Sequence, residues 1–260
     1  MSIVIPRMSR ATHVVERNLM AYRHQWMLIL SGFIEPVLYL LGIGFGIGSL
    51  VHGIPIGGGH TVSYAMFVAP ALMASSAMNG AIYESTFNLF WKLRYGGVFQ
   101  AIIATPVGVE EATLGEVMWA VARGSLYSIG FVVLMAVLGL VASPLAVLAI
   151  PAAILIGFAF AAVGSAATTF VRSWEDFDMV QLVLQPMFLF SGTFFPIDVY
   201  PAPLRVVVEL TPLYHGVDLI RGLTTGSAGA AQLWDVAYLV GLALLGVAIA
   251  SLRLRRRLLK

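Results

Sequence analysis

Three charged residues stand where charge is costly. Glu35, Glu84 and Arg123 each lie within long apolar runs. An ionised group in hydrocarbon costs on the order of several kcal/mol, so such residues turn to a partner, a cavity or water. Glu84 and Arg123 fall at similar depth in neighbouring runs and can pair. The pair either fixes two helices or serves a substrate, and partnered charges more often fix packing. Glu35 stands beside Pro36, which leaves one helical carbonyl without its donor. Its carboxylate is open to two readings, a structural one and a cavity-facing one.

Other chemistries are poorly encoded. A phosphate-cradling loop needs Gly-x-x-x-x-Gly-Lys-Ser/Thr, and the only lysines, Lys92 and Lys260, have no such context. The five histidines, His13, His24, His52, His60 and His215, lack metal-ligand spacing. No Gly-x-Ser-x-Gly elbow or intramembrane carboxylate pair suggests an enzyme. With no cysteine there is neither a disulfide nor a thiolate ligand. The expectation is a non-enzymatic chain that binds no cofactor or metal itself. If it pumps, ATP and Mg act in a partner.

The elements that position these charges are set by the solvent. Of the 260 residues, 59% are hydrophobic and 11% charged, against about 25% charged in soluble domains. The bilayer is the environment that absorbs this surface. Basic residues edge apolar runs instead of gathering on one face, which argues against nucleic acid. The fold class expected is an all-α integral membrane protein, one domain over 1–260. Its six transmembrane helices fall near 26–51, 62–90, 113–142, 144–171, 178–197 and 232–252. The first run is long enough to span and reads as retained, not as a cleaved signal.

Before them, Ala11, Val14, Val15, Leu19, Tyr22 and Trp26 recur at helical spacing, with Arg10, His13, Arg17 and His24 opposite. This predicts an amphipathic helix over 9–25, lying in the membrane surface or packed on protein. Residues 52–61 read as a flexible loop. Pro201, Pro203 and Pro212 break 198–231 into two short helices, near 203–210 and 213–223, that dip toward the membrane. With both termini cytoplasmic, every Lys and Arg except Arg205 and Arg221 falls on the inner side.

Between the second and third runs, Gly96-Gly97 and Thr105-Pro106 bracket a short helical piece, Val98–Ala104. Phe99, Ile102 and Ile103 give it an apolar face on the aqueous side, beside Arg94 and Tyr95. Such a face either docks a soluble partner or packs under the protein's own helices.

The run Gln185-Pro186-Met187-Phe188-Leu189-Phe190-Ser191-Gly192-Thr193-Phe194-Phe195-Pro196 resembles the signature of ABC-2 type exporter permeases. Tyr200-Pro201-Ala202-Pro203-Leu204 and Thr211-Pro212-Leu213-Tyr214-His215-Gly216-Val217-Asp218-Leu219-Ile220-Arg221-Gly222 continue it in order. Arg17-Asn18-Leu19, Tyr22-Arg23 and the stretch from Glu84 to Pro106 match as well. Within that family the chain is most similar to nodulation lipooligosaccharide exporter permeases, then to daunorubicin-type drug exporter permeases.

The resemblance implies an inner-membrane permease that works as a dimer, driven by two copies of a separate ABC ATPase. It exports an amphipathic substrate, a lipooligosaccharide or a hydrophobic drug. Arg94 to Pro106, around Val98–Ala104, would be the coupling helix that seats on the ATPase. Residues 201–224, with Pro212, Tyr214, His215 and Arg221, would be re-entrant helices. Ser191, Gly192, Phe194 and Phe195 would lie near an outer gate, where phenylalanines either seal a constriction or face lipid. The alternative from the residues alone is an ion-coupled transporter acting without an ATPase, with Glu35 as relay.

Overall fold

A computed structural model describes residues 8–22, 26–51, 53–56 and 60–258. Arg7, Arg23, His24, His52 and Lys260, used above, lie outside the described residues. The chain is helical nearly throughout. Helix α1 (Met8–Tyr22) precedes α2 (Trp26–Tyr39), which runs into a π-helical turn over Leu40–Gly46. Next, α3 (Tyr64–Tyr83) passes through a second π-helical stretch, Glu84–Asn88, into α4 (Leu89–Arg94). Then follow α5 (Val98–Ile103), α6 (Val109–Val137), α7 (Ala149–Thr168) and α8 (Phe177–Phe190). After these come α9 (Ala202–Glu209), α10 (Pro212–Thr225) and α11 (Ala231–Leu258).

Among the described residues, five helical segments are long and apolar enough to cross a bilayer. They are Gly32–Leu50, Tyr64–Arg94, Glu111–Val137, Pro144–Thr168 and Ala231–Arg253. The expected run 178–197 is helical only as α8, whose 14 residues extend about 21 Å, short of the ~30 Å hydrocarbon core. Gly192 ends it at φ +69°, a left-handed conformation that glycine takes without a Cβ penalty. The stretch expected as a flexible loop instead carries two short strands, β1 (Ile54–Ile56) and β2 (His60–Val62). They pair antiparallel with Ile54 opposite Val62.

The core is built on α3. Its alanines Ala69, Ala71, Ala74, Ala77 and Ala81 are fully buried, and α6, α7 and α10 pack around it. Small residues let helix backbones approach closely in lipid. The most extensive helix pair among the described residues is α7 with α11. There a Cβ added to Gly246 would fall 2.7 Å from the carbonyl carbon of Ala162. The π-helical stretch after α3 seats against α7 in the same way. A Cβ on Gly164 would overlap Ser85, and the Thr168 hydroxyl donates to the Ser85 carbonyl at 2.9 Å. By contrast, α8 makes few close backbone approaches to any described element. It is held mainly through side chains.

Candidate functional site: a polar chamber and its linkage to α5

Four buried charges cluster where α1, the π-helical stretch, α4 and α6 meet. Arg123 Nη1 donates to Glu84 Oε2 at 2.7 Å, and Arg123 Nε donates to the Tyr127 hydroxyl at 2.9 Å. Lys92 Nζ donates to Glu116 Oε2 at 2.6 Å and lies 3.3 Å from Glu84 Oε1. Asn88 and Asn18 add amide donors to Glu84 and Glu116, at 2.8 and 3.1 Å. Two carboxylates therefore balance two cations, all no more than 9% exposed. Burial on this scale is tolerable only when every charge is paired and hydrogen-bonded. Asn18 extends the network into α1, whose Ala11 and Val14 are buried against α6 at Gly115 while Leu19 and Met20 stay exposed.

Above this cluster lies a chamber of about 350 Å³. Glu35 and Tyr39 of α2, Ser75, Ser76 and Asn79 of α3, and Arg123 of α6 contribute to its wall. Gly32 admits the neighbouring helix, because a Cβ there would meet the Tyr127 ring at 2.8 Å. Glu35 and Arg123 thus share one cavity. Tyr39 and Phe188 also line the chamber, their rings 5.7 Å apart and edge to face. Those two residues also line a larger apolar groove of about 1050 Å³, with Phe194 and Phe195.

The segment from Trp91 to Pro106 is folded back on the protein. Gly97 turns at φ +59°, and Gly96 lies against the Trp91 ring. Ile102 is buried with Leu89 and Ala112, and Val98 packs beside it. This corrects the expectation that Ile102 faces a soluble partner: α5 spends that side chain on its own subunit. The exposed side carries Gly97, Ala101, Ala104, Thr105 and Pro106. The side chains of Phe99 and Ile103 lie outside the described residues. Arg94 is exposed and reaches the Arg172 carbonyl at 3.5 Å. Tyr95 stacks on Trp174, whose ring meets Phe90, and Phe90 and Phe87 both contact Phe177. An aromatic cluster therefore ties the segment before α5 to the first turn of α8. The turn leading into α8 is set by Asp176. Its carboxylate accepts from the backbone N–H groups of Arg172 and Ser173 at 2.7 and 3.2 Å, which hold its pKa below the ordinary value.

At the other end, α10 is pinned on both sides. Arg221 donates to the carbonyls of Gly192 and Phe67 at 2.7 and 3.2 Å, its guanidinium 3.8 Å from the Phe67 ring centre. His215 Nδ1 lies 2.7 Å from Asp235 Oδ1 of α11. Tyr214 stands over Gly192, and Pro212 occupies the first turn of α10. The Ser191 hydroxyl meets that of Thr211 at 2.9 Å. The two phenylalanines part company: Phe194 is buried in the core, while Phe195 is half exposed.

The profile of the family described as "ABC-2 type transporter" matches residues 11–224. The chain belongs to that family. Similar proteins include Nodulation protein J of Rhizobium meliloti (strain 1021), 32% identical over 248 residues, covering 95% of this chain and 93% of that protein. Nodulation protein J of Rhizobium leguminosarum bv. trifolii is 32% identical over 253 residues, with the same coverage. The inner membrane transport permease YadH of Escherichia coli (strain K12) is 24% identical over 211 residues, 79% of each chain. As an ABC-2 family member, the chain is a multi-pass membrane component of a transporter that works with an ABC ATPase.

Sequence reasoning missed Glu116 and the inward turn of Lys92. The signal was present: Glu116 and Arg123 are seven residues apart, two turns along one helix face. It also missed the polar face of Ser75, Ser76 and Asn79, which a uniformly small and apolar helix conceals.

Proposed function

We propose that this chain is the permease subunit of an exporter that moves an amphipathic molecule from the cytoplasm or inner leaflet outward. It would pair with a second copy of itself and cross the inner membrane six times, both termini cytoplasmic, with the short α8 and the turn that follows it making the fifth crossing beside the five long helices. Two copies of a separate ATPase would bind and hydrolyse Mg-ATP. One observation carries this reading: the segment that leads from α4 into α5 is joined to the first turn of α8 through Tyr95, Trp174 and Phe177. A push on α5 from below would therefore reach the helix that borders both chamber and groove. ATP binding would draw the ATPase subunits together, tilt α8 and shift the chamber's contents toward the groove. For this to do work, ATP must bind one arrangement more tightly than the other.

The test targets the exposed side of α5 and spares its buried one. Ala101→Arg with Ala104→Arg is co-expressed with a candidate P-loop ATPase. The expected result is a monodisperse permease that no longer co-purifies with the ATPase or stimulates its turnover. Intact co-purification with intact stimulation would show that α5 is not the coupling element.

A further inference from the structure

We infer that the cleft between α7 and α8 binds a phospholipid of the bilayer with an anionic head, which Arg94, Arg172 and Arg253 hold at its mouth. This lipid is a resident of the protein and not its cargo. The inference does not depend on what is exported or in which direction.

Three observations lead there. The first is the shape and lining of the cleft. Phe160, Val163 and Ala167 of α7 face Met179, Val183 and Met187 of α8 across about 760 Å³, within the ~300–1,000 Å³ usual for ligand sites. The lining is apolar except for Thr86, Arg172 and Asp176. The Thr86 hydroxyl is already committed to the Ile82 carbonyl at 2.6 Å. Apolar walls that met nothing would forfeit their dispersion contacts, and a flexible acyl chain supplies them along the length of α8.

The second is charge at one end. Three guanidinium groups from different elements converge on residues 169–172. Arg253 of α11 donates to the Thr169 hydroxyl at 3.1 Å and lies 3.6 Å from the centre of the Phe170 ring, which lines the cleft. Arg94 of α4 donates to the carbonyl of Arg172, itself a lining residue. Among the described residues none of these three is ion-paired to a carboxylate, whereas Arg10, Arg17, Arg123 and Arg205 all are. The one carboxylate in the lining, Asp176, is held by the backbone N–H groups of Arg172 and Ser173. Glu175 and Asp178 are exposed and stand outside the lining. A guanidinium fork matches a phosphate, and a head that adds a cation of its own fits this mouth less well.

The third is depth. The apolar segments Tyr64–Arg94 and Ala231–Arg253 end on two of these arginines, and Pro144–Thr168 ends just before Arg172. The ends of spans lie where hydrocarbon gives way to head groups. The basic mouth and the apolar cleft therefore match the two parts of one lipid in position as well as in chemistry, as in other basic pockets between membrane helices.

The test uses the full chain, purified in detergent and stripped of lipid. Dioleoyl phosphatidylglycerol and dioleoyl phosphatidylcholine are offered in equal amounts, and native mass spectrometry reads what stays bound. Phosphatidylglycerol is expected to be retained in preference. Arg172→Ala and Arg253→Ala should each weaken its binding about fivefold, the effect of one basic residue at a membrane surface. Arg172→Lys, which keeps the charge, should lose less. Arg205→Ala, which removes an arginine paired with Asp198 and Glu209, is the control and should change nothing. Phosphatidylglycerol carrying a diazirine on its acyl chain then locates the tail in nanodiscs. Cross-links should concentrate on residues 160–187 relative to the exposed Leu244 and Leu245 of α11. The site is overturned by equal retention of the two lipids or by undiminished retention in Arg172→Ala, whose side chain is exposed and whose removal spares the fold. Cross-links no denser on 160–187 than on α11 would overturn it too, and would be the outcome if a second copy of the chain covered the cleft.

Discussion

Lys92 of α4 and Glu116 of α6 meet as a buried ion pair, 2.6 Å from nitrogen to oxygen. Each is no more than 6% exposed, so neither can turn to solvent if the other is lost. Lys92→Met leaves the carboxylates of Glu116 and Glu84 facing each other without the shared ammonium. The expected cost is about 3–5 kcal/mol, read as a drop in unfolding midpoint in detergent. Adding Glu116→Gln removes one stranded charge, so the double variant should be less destabilised than the two single variants summed.

Gly115 is where α1 seats on α6. A Cβ there would fall 2.6 Å from that of Val14 and 2.7 Å from the Ala11 carbonyl oxygen. Neither neighbour is a flexible tip that can swing aside. Gly115→Ala should cost about 1–3 kcal/mol and lift α1 from its seat. Hydrogen exchange should show faster exchange across α1, with α7 and α11 unaffected.

Arg221 holds two carbonyls and a ring at once. A lysine cannot reproduce the planar fork. Arg221→Lys should cost about 1.5–3 kcal/mol, the range for a hydrogen bond to a charged group. Gly192→Ala strains the same turn through its positive φ, at about 1–3 kcal/mol. Because both act on one turn, their effects should not add, which thermal unfolding of the double variant measures.

Asp176 makes the entrance to α8 sensitive to acid. Its pKa is lowered in the folded chain by the N–H groups of Arg172 and Ser173. A lowered folded value stabilises above the unfolded pKa, and that contribution disappears as pH falls through the folded value. Wild type should therefore melt above Asp176→Ala at neutral pH, with the gap closing in acid below about pH 4. Melting temperatures across that range check it.

Much of this architecture was readable because lipid imposes a simple rule. Apolar runs long enough to span, such as Tyr64–Arg94 and Ala231–Arg253, announce themselves. Proline and glycine marked α9, α10 and α5 within a residue or two. The depth argument for Glu84 and Arg123 placed them on facing helices, where the structure finds them 2.7 Å apart. What stayed hidden depends on rotation about a helix axis. In α3 nearly every position is small or apolar, so periodicity does not say that Ser75, Ser76 and Asn79 share a side. Ile102 misled for a related reason. An apolar residue on a short aqueous helix looks available for docking until the fold shows Leu89 and Ala112 already covering it. The β1–β2 pairing was obscured by Pro55 and the glycines around it, residue types depleted in strands.

The fastening of α8 has a mechanical consequence. Its first turn is gripped by rings, while the rest of its length meets the bundle through side chains with few close backbone approaches. On the coupling reading proposed above, a push on the gripped end would swing this rod as a lever. Its far tip, beside Phe188 and Phe190, would travel farther than the end that is pushed, so a small stroke at one end would become a larger excursion at the other. The α7–α11 seam need not yield for that stroke to occur.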